Sequence, residues 1–294
     1  MKNRPLVSFC IITYNQERYI RDAILSAFNQ TYTPMEIIIS DDCSTDNTVH
    51  VIEETIKNYS GPHTIKKNYN KKNLGIRENC NKVLYDISKG DIVLLAGGDD
   101  ISTPDRTSTY VDIFNRFPNV MSVSCKSKMI DEYGCVIDSD FGWDDGFTIF
   151  SKYEYLTYRM FFIYSGDSRA LRRKVISSFP KLKYTKAEDL YLFLRSLIIG
   201  DACYIRKPLV LKRVHDTNYS KIRRKNYSEI EVQGCCDVEF AKENGLLSVK
   251  EAYLFTDKIK YIREYFELYV SPKTSCVKTF LYRVLHKVFH VKKI

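Results

Sequence analysis

Asp91-Ile92-Val93-Leu94-Leu95-Ala96-Gly97-Gly98-Asp99-Asp100 is an apolar strand that runs into two glycines and two adjacent carboxylates. Neighbouring carboxylates repel each other and resist desolvation. A divalent cation removes that cost, and oxygen donors of this kind suit Mg²⁺ or Mn²⁺. Glycine lets a backbone approach a ligand closely. A second doublet, Asp41-Asp42, closes an earlier apolar strand, Glu36-Ile37-Ile38-Ile39-Ser40. Acidic tips on two strands point to one site for a nucleotide and a metal.

Outward from these strands the pattern alternates. Residues 6–13 read as an apolar, β-branched strand, and 18–29 as a helix with Ile20, Ala23, Ile24 and Ala27 on one face. After the 36–40 strand come a turn-like stretch from Asp42 to Asn47, a helix over 48–58 and a short strand over 63–67. A loop rich in Asn and Lys covers 68–75, and a helix over 77–88 leads into the 91–96 strand. Strands alternating with helices predict an α/β fold with a mostly parallel sheet flanked by helices. In such sheets ligands bind beyond the carboxyl ends of the strands, where Thr13, Asp42 and residues 97–100 fall. Further on, a helix over 104–117, strands over 121–127 and 203–210 and a helix over 190–199 are expected, with helical patterning beyond 225.

Length and composition bound the rest. A chain of 294 residues with 44 % hydrophobic and 13 % aromatic content builds a real core, so global disorder is excluded. The nine cysteines include no Cys-x-x-Cys pair, which argues against a zinc module and for reduced thiols in a cytosol. Residues 1–5 carry no secretory h-region, and no apolar run approaches the ~20 residues of a membrane span. Six positive charges of the net +9 sit in residues 271–294, which hold no Asp or Glu.

Six stretches in order resemble family 2 glycosyltransferases, the inverting, nucleotide-sugar-dependent group. Val7-Ser8-Phe9-Cys10-Ile11-Ile12-Thr13-Tyr14-Asn15 resembles the family's first strand and turn, and Glu36 through Thr48 its second motif. Asn73-Leu74-Gly75 resembles the third, and Lys89 through Asp100 the metal-binding strand. Ala187-Glu188-Asp189-Leu190, with Arg195 following, resembles the catalytic-base motif, and Arg213-Val214-His215-Asp216-Thr217-Asn218-Tyr219-Ser220 the closing one. The similarity covers roughly residues 5–220. Position 97 departs from it, because the family often has an Asp there and this chain has Gly97.

The resemblance implies a Rossmann-like sheet of the GT-A type with a helical C-terminal extension. The catalytic domain would be 1–220, its nucleotide-sugar half about 1–105 and its acceptor half about 106–220, followed by the extension at 221–294. It implies transfer of a hexosyl or N-acetylhexosaminyl group from a nucleoside-diphosphate sugar, a uridine diphosphate sugar foremost, to an acceptor hydroxyl. Asp189 would be the general base, since a hydroxyl is a poor nucleophile until its proton is taken. Asp100 and His215 would hold Mn²⁺ or Mg²⁺ against the leaving diphosphate. Asp42 would accept from the base, with Thr13 and Asn15 beside it; Arg77, Asp99 and Arg213 complete the nucleotide-sugar contacts. Trp143, Ser165 and Glu188 would line the acceptor pocket. Each acidic pair has a competing use as a helix cap, for which Asp46 is better placed than Asp41 or Asp42.

In the tail, Val277, Phe280, Leu281, Val284, Leu285, Val288 and Phe289 form a helical stripe, with Lys278, Arg283, Lys287 and Lys292 off it. A basic amphipathic helix suits an anionic membrane surface; docking on the domain or on a second copy in a homodimer is the alternative. The tail points to a cytoplasmic enzyme on the inner face of the cell membrane, and the family resemblance implies a lipid-linked saccharide acceptor in bacterial surface-polysaccharide synthesis such as O-antigen or capsule. Nucleic acid is not an expected partner. The other reading is a non-catalytic nucleotide-sugar or saccharide-binding subunit of a membrane-associated complex.

Overall fold

A computed structural model of the chain describes residues 4–137, 146–157, 168–184, 188–216, 218 and 228–265. The chain divides into two compact units, residues 1–222 and 223–294. In the first, β1 (Val7–Thr13), β2 (Met35–Asp41), β3 (Thr64–Tyr69) and β4 (Ile92–Gly97) lie side by side in the order 3-2-1-4, all parallel. Beyond β4 the sheet is mixed. β8 (Ala170–Arg172) runs antiparallel between β4 and β6 (Val120–Ile130). β9 (Asp201–Arg213) then pairs parallel with β6 and antiparallel with β5 (Ile101–Ser102) and β7 (Phe147–Phe150).

The continuous apolar runs are explained by burial on both faces. Alternate residues of a strand point to opposite sides. Val7, Phe9, Ile11, Ile37, Ile39, Ile92 and Leu94 enter one core. That core is closed by α1 (Ile20–Phe28), α2 (Thr48–Ile56) and α4 (Arg106–Arg116). Cys10, Ile38, Val93 and Leu95 enter the other. There they meet Val83 and Leu84, which follow α3 (Ile76–Asn81), then Val175 and Ile176 of α6 (Arg173–Ser177) and Leu192 of α7 (Glu188–Ile199). Fully burying a side chain of this size contributes about 1.5–3 kcal/mol, so the strand register is held from both sides.

From β1 the chain moves to one side for β2 and β3, then to the other for β4. The reversal opens a crevice between the carboxyl ends of β1 and β4, the position at which open α/β sheets bind ligands. One helix and three short strands differ from the sequence expectation. The helix expected over 77–88 is α3 followed by a π-helical turn over Lys82–Ile87. β5, β7 and β8 hold two to four residues each, too few to show a period. Between β7 and β8 lies the short α5 (Lys152–Thr157).

The second unit contains helices Ser228–Glu243 and Val249–Tyr265. They approach closely at Gly234, where an added Cβ would lie 2.9 Å from Ile259 Cδ1. Arg263 Nη1 donates to Glu231 Oε2 at 2.6 Å across the pair. No helix among the described residues is long and apolar enough to cross a membrane. The amphipathic stripe at 277–289 lies outside the described residues.

Candidate active site

The crevice begins where β1 and β2 end. Asp42 N donates to Thr13 O at 3.0 Å, joining the two strand tips. The Asp42 carboxylate is buried and accepts from Asn70 Nδ2 (2.9 Å), Leu74 N (2.9 Å) and Gly75 N (2.7 Å). It therefore holds the Asn73-Leu74-Gly75 loop against the end of β2. Gly75 adopts φ +80°, a conformation suited to glycine. A carboxylate offers about four lone-pair positions, so Asp42 retains capacity for a ligand donor.

The turn after β1 is laced to the turn after β2. Asn15, at φ +51°, donates its N–H to Ser44 Oγ at 2.8 Å and accepts from Thr45 N at 2.8 Å. The Asp41 carboxylate takes the Ser44 N–H at 2.8 Å and its hydroxyl. Asp46 accepts from Thr48 N at 3.0 Å and from Glu17 N at 3.1 Å, so it, rather than Asp42, serves the start of α2. Thr13 Oγ1 donates to Gln16 Oε1 at 2.8 Å. Gly98 seats directly on this pair: a Cβ there would lie 2.3 Å from Gln16 Oε1 and 2.7 Å from Thr13 Oγ1.

The acidic doublet follows at once, and its members differ. Asp100 is buried, and its Oδ1 accepts from Arg213 N at 2.9 Å. Asp99 Oδ2 lies 3.0 Å from His215 Nε2 and accepts from Asn218 Nδ2 at 3.2 Å. An added Cβ on Gly97 would lie 2.7 Å from Asp99 Oδ1 and 3.3 Å from Asp100 Oδ2. One oxygen of each carboxylate thus fronts a space that any side chain at 97 would fill. Hard oxygen donors with an imidazole beside them fit Mg²⁺ or Mn²⁺. Among the described residues no three His, Cys, Asp or Glu side chains converge as a ready-made cage. Beneath the loop, the buried Arg106 donates to Leu95 O at 3.0 Å and Ser102 Oγ at 2.9 Å, tying β4 to β5.

Arg213 is almost wholly enclosed. It donates to Asp99 O (3.1 Å), Glu132 O (3.0 Å), Asp131 O (3.4 Å) and Asp22 Oδ2 (2.9 Å), and its guanidinium lies over the Tyr19 ring. Arg77 is half-buried; it pairs with Glu78 and donates to Lys183 O at 2.6 Å.

A third acidic group comes from the start of α7. Asp189 Oδ1 accepts from Leu190 N at 2.9 Å, and both Glu188 and Asp189 are half-buried. Burial pushes the Cys80 thiol of α3 well up, and the charges of Glu188, Asp189 and Asp42 add to it in the same direction. Arg195 is buried on α7 and donates to Tyr85 Oη (2.9 Å) and Pro180 O (2.8 Å), so it braces α7.

The structure brings together Thr13, Asn15 and Asp42 where β1 and β2 end, and Asp99, Asp100, Arg213 and His215 just beyond β4. Trp143 and Ser165 lie outside the described residues. Sequence reasoning gave no role to Gln16, Tyr19, Asp22 or Asn70. Only Asn218 had a signal, its place in the closing motif.

The family model for glycosyl transferase family 2 matches residues 8–179. Chondroitin synthase of Escherichia coli is 27 % identical over 234 residues, 78 % of this chain and 32 % of that protein. The chain spans about a third to a half of the length of the first curated relatives it matches. S. aureus TarS 1-349 in complex with UDP-GlcNAc is similar in structure, with a TM-score of 0.65 at 16 % identity, covering 89 % of this chain and 72 % of that one. The mannosyltransferase PcManGT from Pyrobaculum calidifontis, in complex with GDP-Man and Mn²⁺, gives a TM-score of 0.55 at 15 % identity, covering 99 % and 82 %. At these identities the likeness is one of fold, the GT-A type that the sequence implied. Since the family model matches more than half of it, this chain belongs to glycosyl transferase family 2.

Proposed function

We propose that the chain is an inverting glycosyltransferase that moves a sugar from a nucleoside-diphosphate sugar to a saccharide hydroxyl. The observation that carries the proposal is the acidic doublet Asp99-Asp100 beside His215 at the carboxyl end of β4, next to the strand tips where the buried Asp42 holds the 73–75 loop. The donors bound by TarS and PcManGT, UDP-GlcNAc and GDP-Man, support this donor class. A uridine diphosphate sugar is the donor we favour.

In this reading Asp42 and the laced turns at 13–17 and 42–48 seat the nucleoside. Asp99 and Asp100, with His215, hold a divalent cation. Bound there, it would neutralise charge on the departing diphosphate. Asp189 takes the acceptor proton as the hydroxyl oxygen attacks the anomeric carbon, while the bond from that carbon to the diphosphate oxygen breaks on the opposite face. Configuration inverts, the nucleoside diphosphate leaves, and the proton rests on Asp189. Arg77, at the start of α3, stands where it can reach the donor only by leaving Glu78 or Lys183. Glu188, Trp143 and Ser165 remain our acceptor-side candidates. The charge and spacing of the 277–289 stripe support an anionic bilayer as its partner, and analogy with the family supports a lipid-linked acceptor in surface-polysaccharide synthesis.

Incubating the purified chain with a panel of nucleotide sugars and Mn²⁺, and following thermal shift and nucleoside-diphosphate release, tests the reading. A stabilising donor that is turned over only when an acceptor saccharide is present is the expected result. Stabilisation without turnover on any acceptor would leave a binding subunit instead. Sedimentation with phosphatidylserine vesicles, lost on deleting 271–294, tests the tail.

A further inference from the structure

We propose that Arg213 is a positioning residue that sets the acidic doublet, and that it does not bind the diphosphate. The inference rests on the reading of Asp99, Asp100 and His215 as the cation end of the site. An arginine beside a diphosphate site is ordinarily its ligand, because the guanidinium fork matches phosphate oxygens. Here the fork is spent on protein. A guanidinium has five N–H donors, and contacts with Asp99 O, Asp131 O, Glu132 O and Asp22 Oδ2 occupy four. One face lies over Tyr19, with the guanidinium carbon 5.0 Å from the ring centroid. The side chain is 2 % exposed.

The partners explain what the clamp does. The backbone N–H of Arg213 fixes the Asp100 carboxylate, while its Nε fixes the Asp99 carbonyl. Both members of the doublet thus take their place from one residue. His215, two positions on, meets the Asp99 carboxylate and lies 4.7 Å from the Tyr19 ring that also supports the guanidinium. At the far end, Nη1 holds the turn at Asp131-Glu132 and Nη2 pairs with Asp22 on α1. That turn and Tyr19 line a cavity of about 270 Å³ that His215 also borders. Through a single buried cation, α1 and the 131–132 turn determine where the two carboxylates and the imidazole stand.

Asp22 is half exposed and touches none of the reacting groups, so Asp22→Ala loosens the clamp from its outer end without altering the site. The readouts are affinity for UDP without metal, affinity for uridine, the Mn²⁺ concentration for half-maximal UDP binding, and hydrogen exchange of the 97–101 segment without ligand. A positioning role predicts that Asp22→Ala leaves metal-free UDP affinity and the thermal midpoint near wild type. The Mn²⁺ midpoint should rise about three- to tenfold, the scale of one ordinary hydrogen bond lost at one remove from the site, and exchange over 97–101 should quicken. Arg213→Lys, which keeps the charge but cannot reach four acceptors, should do the same more strongly. If Arg213→Lys instead lowers metal-free UDP affinity while sparing uridine, the residue is a diphosphate ligand and the proposal is overturned. Unchanged Mn²⁺ midpoint and exchange in Asp22→Ala would overturn it equally. If wild type binds no nucleoside diphosphate at all, the transferase reading fails, and slowed or unchanged exchange over 97–101 still rejects the clamp.

Discussion

Asp99 and Asp100 are chemically identical neighbours with different surroundings. Asp100 is buried and accepts a backbone N–H, while Asp99 keeps more exposure and meets His215. Replacing each by Asn should separate the two. Asp100→Asn should cost about 1–3 kcal/mol of stability, measured by urea unfolding, because a buried charge-assisted bond is weakened. Asp99→Asn should leave the unfolding midpoint near wild type while raising the Mn²⁺ needed for UDP binding, measured by titration calorimetry. With Asp189 as the proposed base, Asp189→Asn should lower turnover by about 10²–10⁴-fold, the usual contribution of a positioned base. Donor affinity should not change. Full turnover in that variant would remove Asp189 from the mechanism.

At the level of elements, the crevice depends on how closely strand tips approach. Gly98 allows β4 to end against Thr13 and Gln16. Gly98→Ala should drive the tips apart and cost about 1–3 kcal/mol, as overpacking does, with weaker nucleotide binding in the same titration. The Gln16 amide can swing away, but Thr13 is held in β1, its Cβ only 2.8 Å from the added atom. Gly75→Ala is a useful contrast. Its Cβ would meet open space, but φ +80° is unfavourable for alanine, so a loss of about 1 kcal/mol arises from backbone strain alone. The parallel half of the sheet was legible because β1, β2 and β4 are apolar runs alternating with amphipathic helices. β5, β7 and β8 were not, since they are strands only by virtue of the neighbours they pair with.

For the whole molecule, stability also rests on polar groups buried far from the crevice. At the opposite end of β1 and β2, Glu36 accepts from Ser8 Oγ (2.5 Å) and Lys89 N (2.7 Å) and pairs with Lys66 (2.6 Å). Burial alone would raise this carboxyl, but the Lys66, Ser8 and Lys89 contacts outweigh it and leave it below its ordinary value. Its contribution is therefore present above about pH 4.5 and lost as pH falls through the lowered value. His63 acts earlier in an acid titration. Its ring is buried, with Nε2 3.2 Å from Gln30 O, and burial pulls its pKa below 6.5 despite that bond. The neutral ring is favoured in the fold, so its contribution is intact above pH 6.5 and declines as pH drops through the depressed value. Thermal midpoints of wild type and His63→Gln, compared from pH 8 to pH 5, should converge as the pH falls.

The sequence by itself determined the layered α/β plan, the strand ends at which chemistry would gather, and the family. These follow from local regularities: unbroken apolar runs must be covered on both faces, and acidic tips beside glycines remain recognisable in one dimension. Tertiary structure alone decided that Asp42 holds the 73–75 loop and that Arg213 faces four protein oxygens on three segments. Each is a contact between residues far apart in the chain, 33 positions for Asp42 and Gly75 and 191 for Arg213 and Asp22. Strand order creates such contacts, and a side chain's partners depend on which segments that order sets side by side, whereas its own residue type states only which bonds it is able to make.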